Sequence, residues 1–520
     1  MTRKRTKIRL DIGGLPIPLR YEVLHFLISG STGSGKSQLL ARLLLTLSLR
    51  RAWGDRCIVI DPGTSLAPHF LLPGDCILNP LDKRALPWSP LAEMQSPNDA
   101  PRIARSIIPD PPSPSDRSWY GYARQLLAAT LVHVWECGGD NGDLLDLLTL
   151  ASRADDLCSA CAGTPASILF LQGNEKMRAN SQGVLSPYLA AFTYLPRRAG
   201  SQSFALRKWA NQQYTKFQKG WLWWPVPTNQ LDVLAPLIAT QVAALTTAVL
   251  QLPEDRSRRM FVVADEFAQL GKVASIEQAL TLGRKHGLVA VLAIQSIAQL
   301  RQIYGHDGAQ VLLSCLSNWV ILRSADAETA EAMSRHVGDH EVQITERSEG
   351  ESGNYGDGRS QRSRSITLSE HRRVERALLA SQIQRLPERQ AIITLADRPE
   401  AIPVTIPLVT SHLPRVTSGF VTRPLKKPPQ PDARTPTPAS PVSGGDETCS
   451  PTSRTSSANP MFTAATAASS IPPSPGNIAL DDLLASKREA SQDSLSSPSE
   501  SLHQTDSMHQ NPAADDSATS

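Results

Sequence analysis

The sequence has 520 residues, a net charge of +4 and seven scattered cysteines. A chain this long exceeds one compact core, an odd cysteine set points to a reducing compartment and not to a secreted disulfide scaffold, and no long apolar segment follows the basic residues 1–7, so no secretory signal is expected. The charge is uneven: residues 421–520 carry 7 Lys and Arg against 11 Asp and Glu, which leaves a basic body compatible with nucleic acid.

Residues 8–29 read as short strands, with Ile8, Leu10 and Ile12 alternating with polar residues, a turn at Gly13-Gly14, and an apolar strand over 23–28. That strand runs into Gly30-Ser31-Thr32-Gly33-Ser34-Gly35-Lys36-Ser37, and helical periodicity follows through Leu39, Leu40, Leu43, Leu44 and Leu47. Strand, G-x-x-x-x-G-K-S and helix together make a Walker A phosphate loop. Its glycines let backbone N–H groups turn toward phosphate oxygens. The helix N-terminus adds unpaired N–H groups and a positive dipole end. Lys36 supplies a charge for the β- and γ-phosphates, and Ser37 a hydroxyl for Mg²⁺. The candidate nucleotide-binding residues are therefore Gly30, Ser31, Thr32, Gly33, Ser34, Gly35, Lys36 and Ser37.

The run 57–60 predicts a strand buried on both faces, as in parallel sheets. Asp61 at its end either faces a ligand or caps the next turn. Another short strand is expected at 76–80. From Trp88 to Trp209 strands give way to helix-length apolar periodicity, broken by proline clusters at 109–114 and Pro196. Cys158 and Cys161 fall in this region without the further ligands of a zinc site, and two buried cysteines are expected. The sheet resumes with Trp221, Trp223 and Trp224, which suit either a base-stacking platform or a core strand. Residues 231–252 could span a membrane by length but fit better as a helix packed on a sheet.

Residues 260–264 followed by Asp265-Glu266 form a Walker B pattern once the Walker A is in hand. Asp265 would join the Mg²⁺ shell and Glu266 would polarise the attacking water. The strand 288–294 ends in Gln295, placed to sense the γ-phosphate. Two more strands are expected at 319–322 and 391–395. Between them, 346–365 reads as a mobile Gly/Ser/Arg-rich loop whose Arg347, Arg359, Arg362 and Arg364 either touch phosphates or keep the loop solvated. Beyond Ser411 the chain is Pro-, Ser- and Thr-rich and is expected to be disordered. One island at 477–488 has a helical apolar face that could fold on a partner.

Several segments match one family in order. They are Gly14-Leu15-Pro16-Ile17-Pro18 with His25-Phe26-Leu27-Ile28-Ser29-Gly30, Ile77-Leu78-Asn79-Pro80-Leu81-Asp82 with Trp88, Phe204-Ala205-Leu206-Arg207-Lys208-Trp209, Ala264-Asp265-Glu266-Phe267, Gly283-Arg284-Lys285-His286-Gly287, and Ile294-Gln295-Ser296-Ile297-Ala298-Gln299-Leu300 with Tyr304-Gly305. The set spans residues 13–407 and resembles the conjugative coupling proteins of type IV secretion systems, the TraD/TrwB type.

The resemblance implies an α/β, RecA-like P-loop ATPase with a mostly parallel central sheet, an inserted all-α domain and a disordered C-terminal tail. The expected divisions are 1–87, 88–209, 210–410 and 411–520. It implies ATP and Mg²⁺ as cofactors, and a cytoplasmic homo-hexamer that moves single-stranded DNA with its relaxase into the secretion channel. The catalytic residues it implies are Lys36, Glu266, Gln295 and Arg284, the last reaching a neighbouring subunit's nucleotide. Lys272 and Lys285 are candidate pore residues. Two departures stand out. About 20 residues precede the phosphate-loop strand where family members usually carry two membrane helices, so attachment to the inner membrane is expected through separate anchor proteins. Gly63-Thr64-Ser65-Leu66 replaces the acidic residue usual after Asp61, so no role is carried onto that loop. An ATP-gated adaptor that recruits relaxosome or effector proteins, or a DNA motor outside conjugation, would use the same nucleotide chemistry.

Overall fold

The computed structural model describes residues 8–424 except 112, 215–219, 355–360 and 399. A small antiparallel hairpin, β1 (Leu10–Ile12) and β2 (Leu15–Ile17), precedes the sheet. The sheet strands in chain order are β3 (Phe26–Ser29), β4 (Arg56–Pro62), β5 (Cys76–Ile77), β6 (Leu222–Val226), β7 (Met260–Ala264), β8 (Leu288–Ile294) and β9 (Asn318–Ile321), joined later by β12 (Gln390–Thr394) and β13 (Ile402–Thr405). Among the described residues they form one nine-stranded sheet, ordered β13-β12-β9-β3-β8-β7-β4-β6-β5. From β9 to β5 every pairing is parallel. β12 runs antiparallel to both β9 and β13.

Continuous apolar runs form these strands because both faces are covered. On one face Phe26, Ile28, Cys57, Val59, Phe261, Val263, Val289 and Val291 pack under the phosphate-loop helix Lys36–Arg50. On the other, Leu27, Ile58, Ile60, Val262, Ala290 and Leu292 share a core with the insertion and the helix Thr228–Leu250. Each fully buried Leu, Ile or Phe contributes about 1.5–3 kcal/mol. Thr228–Leu250 is long and apolar enough to cross a membrane by length and composition, yet Leu234, Leu237, Ile238, Val242 and Leu245 lie in this core.

Between β5 and β6 the described chain is helical: Ala100–Ile107, Arg117–Glu136, Asn141–Thr149, Ala154–Cys161, Glu175–Phe192 and Leu206–Ala210. An isolated bridge joins Trp88 to Phe204, so the insertion leaves and returns at one place. Trp221, Trp223 and Trp224 are fully buried, which makes them core and not a stacking platform. Cys161 is buried but Cys158 is exposed, against the expectation of two buried thiols, because the turn of helix between them faces solvent on one side. Among the described residues no cluster of metal-ligating side chains occurs.

Of the expected mobile loop at 346–365, the described residues 346–354 and 361–365 instead belong to a hairpin, β10 (Asp339–Asn354) with β11 (Gln361–Arg376). Val342 and Ile344 are half-buried between exposed neighbours, and Ile366, Leu368 and Val374 are exposed, so the short apolar alternations at 342–344 and 366–368 are outweighed by a Gly-, Ser- and Arg-rich stretch that reads as a loop. Arg347 and Arg364 both pair with Glu349, so their charge is met within the hairpin. Arg359 and the side chain of Arg362 lie outside the described residues. The start of the expected tail is also docked: Val416 N–H donates to Pro68 O, Lys83 N–H to Val421 O and Arg423 N–H to Leu81 O. The remainder, with the island at 477–488, lies outside the described residues.

Candidate nucleotide-binding site

The phosphate loop starts where β3 ends. Gly30 N–H donates to Ile294 O and Ser31 N–H to Arg323 O, which ties the loop to the strands on both sides. A Cβ on Gly30 would lie 2.6 Å from Ser34 Oγ and 2.8 Å from Leu322 Cβ, so only glycine fits. Gly33 and Gly35 have φ of +75° and +111°, a region costly for other residues. Gly35 is the N-cap of the helix Lys36–Arg50. Thr32 is exposed, whereas Ser34 is buried with an unpartnered Oγ.

Lys36 is buried, and its Nζ donates to Gly30 O at 2.5 Å and to Ser31 O at 3.4 Å. Burial lowers its pKa, and Glu266 and Asp265 oppose that shift. Ser37 Oγ donates to Asp265 Oδ2 at 2.9 Å, so the structure brings Walker A and Walker B side chains into contact. Burial raises the Asp265 pKa, countered by Ser37 and Lys36. Glu266 holds a left-handed backbone, φ +75°, at the turn after β7. Its carboxyl is buried, which raises its pKa, while Lys36 and Gln295 lower it. Its Oε1 has no hydrogen-bond partner. Gln295, at the end of β8, thus stands beside Glu266 as its strand position predicts.

These residues fit a magnesium-bound nucleoside triphosphate. Two left-handed glycines open a backbone cradle, one buried lysine faces two carboxylates, and Ser34 Oγ and Glu266 Oε1 are buried polar atoms without partners. Lys36 and the loop N–H groups would hold phosphate oxygens, and Ser37 with Asp265 would hold Mg²⁺. The metal would supply charge neutralisation between the phosphates.

Asp61 is a cap and not a ligand. Its Oδ1 accepts from Ser65 N–H at 3.0 Å, and its Oδ2 from Leu66 N–H at 3.0 Å and Ala67 N–H at 2.7 Å. Burial pushes its pKa up to about 7 against those hydrogen bonds. Arg284 is exposed and sits before β8, at the end of the strand opposite Gln295. Seven strand residues place it about 20 Å from its own phosphate loop. Lys272 lies 3.5 Å from Asp110 O, and Lys285 pairs with Glu254.

The outer wall of the loop comes from a region without a motif. Arg389 N–H donates to Ser34 O at 3.0 Å. Gln38 Oε1 accepts from Val409 N–H at 2.8 Å and Thr410 N–H at 3.1 Å. No local pattern in the sequence signals these contacts.

Residues 9–407 match the family described as the type IV secretion-system coupling protein DNA-binding domain. The chain is 27% identical over 420 residues to the coupling protein TraD of Escherichia coli K12, covering 80% of this chain and 56% of that protein. The chain thus spans about half the length of this curated relative. Among solved structures, the plasmid coupling protein TrwB with the ATP analogue ADPNP superposes with a TM-score of 0.69 at 30% identity, covering 80% of this chain and 92% of that one. TrwB with ADP and Mg²⁺ gives 0.68 at 31%, covering 80% and 91%. With this fold and this site, the chain belongs to the family of type IV secretion-system coupling proteins.

Proposed function

We propose that the chain is an ATP-driven DNA translocase, the coupling protein that delivers relaxase-bound single-stranded DNA to a type IV secretion channel during conjugation. The observation that carries this reading is the Ser37–Asp265 hydrogen bond, which closes Walker A on Walker B as a magnesium nucleotide requires. TrwB, which shares the fold, is described with an ATP analogue and with ADP and Mg²⁺. In this reading Lys36 binds the phosphates, Glu266 polarises water, Gln295 reports the γ-phosphate to Glu266, and DNA is gripped mainly by its phosphates.

Arg284 acts between subunits. Its distance from its own loop suits a residue that stabilises transition-state charge in a neighbour, so the working form is a homo-hexameric ring. The ring is cytoplasmic and meets the inner membrane, the relaxosome and the channel through partner proteins.

The test is steady-state ATP hydrolysis by the purified chain with and without single- and double-stranded DNA, at low and high salt. Salt-sensitive stimulation by DNA that vanishes in Glu266→Gln supports the reading. Tight ATP binding with no DNA response at ring-forming protein concentrations would instead favour a recruitment adaptor.

A further inference from the structure

We propose that Arg389 is a nucleotide-contacting residue of its own chain, acting at the part of the nucleotide common to ADP and ATP and not at the hydrolysed γ-phosphate. Arg389 immediately precedes β12 and holds a left-handed backbone, φ +63°, which is uncommon for arginine. Its backbone is pinned on both sides, the N–H to Ser34 O at 3.0 Å and the carbonyl by Ile406 N–H at 2.7 Å. It lies directly on Gly35, where an added Cβ would be 3.2 Å from Arg389 Cγ and 3.3 Å from its Cα. The left-handed turn thus holds one arginine against the phosphate loop.

The side chain is half-buried, yet among the described residues its guanidinium makes no ion pair or hydrogen bond. Arginines of and beside the adjoining helix behave differently: Arg42 pairs with Asp11, Arg50 with Glu22 and Arg51 with Asp75. An unpaired guanidinium fixed beside an anion-binding loop suits a phosphate oxygen or a base face. The sheet order decides which end of the nucleotide it meets. Asp265 and Glu266 follow β7, reached from β3 across β8, whereas Arg389 precedes β12, on the other side of β3 across β9. Arg389 therefore stands away from Asp265 and from Glu266, the residue read as polarising water.

The proposal rests on the loop being the nucleotide site, so Lys36→Ala is the control. The variants are Arg389→Gly, which suits the left-handed backbone, and Arg389→Lys. Affinities for ADP, ATP and tripolyphosphate are measured by calorimetry, together with KM, kcat and Tm. The expected result for Arg389→Gly is a Kd for ADP and ATP raised 10- to 100-fold, KM rising in parallel, kcat changed far less, and Tm equal to or above wild type. Arg389→Lys should recover part of the affinity. Tripolyphosphate affinity also lost assigns the contact to phosphate, and tripolyphosphate affinity kept assigns it to the nucleoside. ADP affinity within twofold of wild type overturns the proposal, as does a loss matched by a lower Tm, or a fall in kcat at unchanged KM. If Lys36→Ala also binds normally, the loop assignment itself fails.

Discussion

Lys36 Nζ donates to the carbonyl of Gly30, so the lysine that ends the phosphate loop is folded over the glycine that begins it. The ammonium is buried beside two carboxylates and the carbonyls of Gly30 and Ser31, an arrangement suited to exchanging a carbonyl for a phosphate oxygen. Lys36→Ala should weaken ATP binding by roughly 100-fold, since charge-assisted contacts dominate there. It should not lower Tm, because it also removes a costly buried cation. Calorimetric titration with ATP and thermal unfolding of the variant check both.

In the proposed role Glu266 polarises the attacking water, and Glu266→Gln keeps the shape of the site but removes that carboxylate. ATP binding should remain and turnover should fall by about 10²–10⁴-fold. Burial raises the Glu266 pKa, and the proposed role requires the carboxylate. Wild-type hydrolysis should therefore decline as pH falls through a value raised from that of an ordinary glutamate. A pH–rate profile with an inflection at or below that of an ordinary glutamate would contradict this.

Arg284→Ala should abolish hydrolysis while leaving ATP affinity within a few-fold of wild type, because the side chain lies far from its own loop. Mixing it with Lys36→Ala should restore part of the turnover, since some interfaces then pair an intact loop with an intact arginine. Mixed-subunit ATPase titrations read this directly, and no recovery at any ratio would count against action between subunits.

The end of the folded body can be located by truncation. Arg84 holds Asp82 and the carbonyls of Ser418 and Gly419, while Thr422 bridges to the fully buried Asp82. A chain ending at residue 424 should match the full chain in Tm and basal ATPase. One ending at residue 410 should lose several degrees, since it strips partners from Asp82 and from the loop at 68–84. Differential scanning calorimetry of the two truncations decides.

The phosphate loop, the Walker B strand and the parallel sheet were legible because each is a local pattern: continuous apolar runs ending in glycine, acid or amide. Gln295 was legible for the same reason, since a strand end fixes its place. The long β10–β11 hairpin was not legible, because its few alternating apolar residues, such as half-buried Val342 and Ile344, adjoin a Gly-, Ser- and Arg-rich stretch that reads as a loop. Nor was Arg389, whose contact with Ser34 is made by backbone atoms that any residue possesses. The cap role of Asp61 stayed open in sequence because a strand-end acid serves a cap or a ligand equally well, and only its three N–H partners separate the two.

His25 ties the loop strand to the turn that bears Arg284. One ring nitrogen, Nε2, lies 2.8 Å from Leu280 O and Nδ1 accepts Ala290 N–H at 3.0 Å, so the neutral ring with its proton on Nε2 brackets Gly283–His286. Burial, opposed by the Leu280 hydrogen bond and aided by Arg284, lowers its pKa to about 4. The unfolded chain, with a histidine pKa near ~6.5, then binds more protons than the folded one between those values. The contribution of His25 is therefore complete above about pH 6.5 and is lost as pH falls toward 4, on the order of 3 kcal/mol in all. His25→Asn tolerates the left-handed backbone at this position, φ +55°, but does not titrate. The variant should be less stable than wild type by about 1–3 kcal/mol at pH 7.5, and the difference should shrink on acidification because only wild type gains the proton penalty. Urea unfolding of both chains at pH 7.5, 6 and 5 measures it. A difference that does not change with pH would mean that the ring is not held neutral, and the bracket around the Arg284 turn would then rest on packing alone.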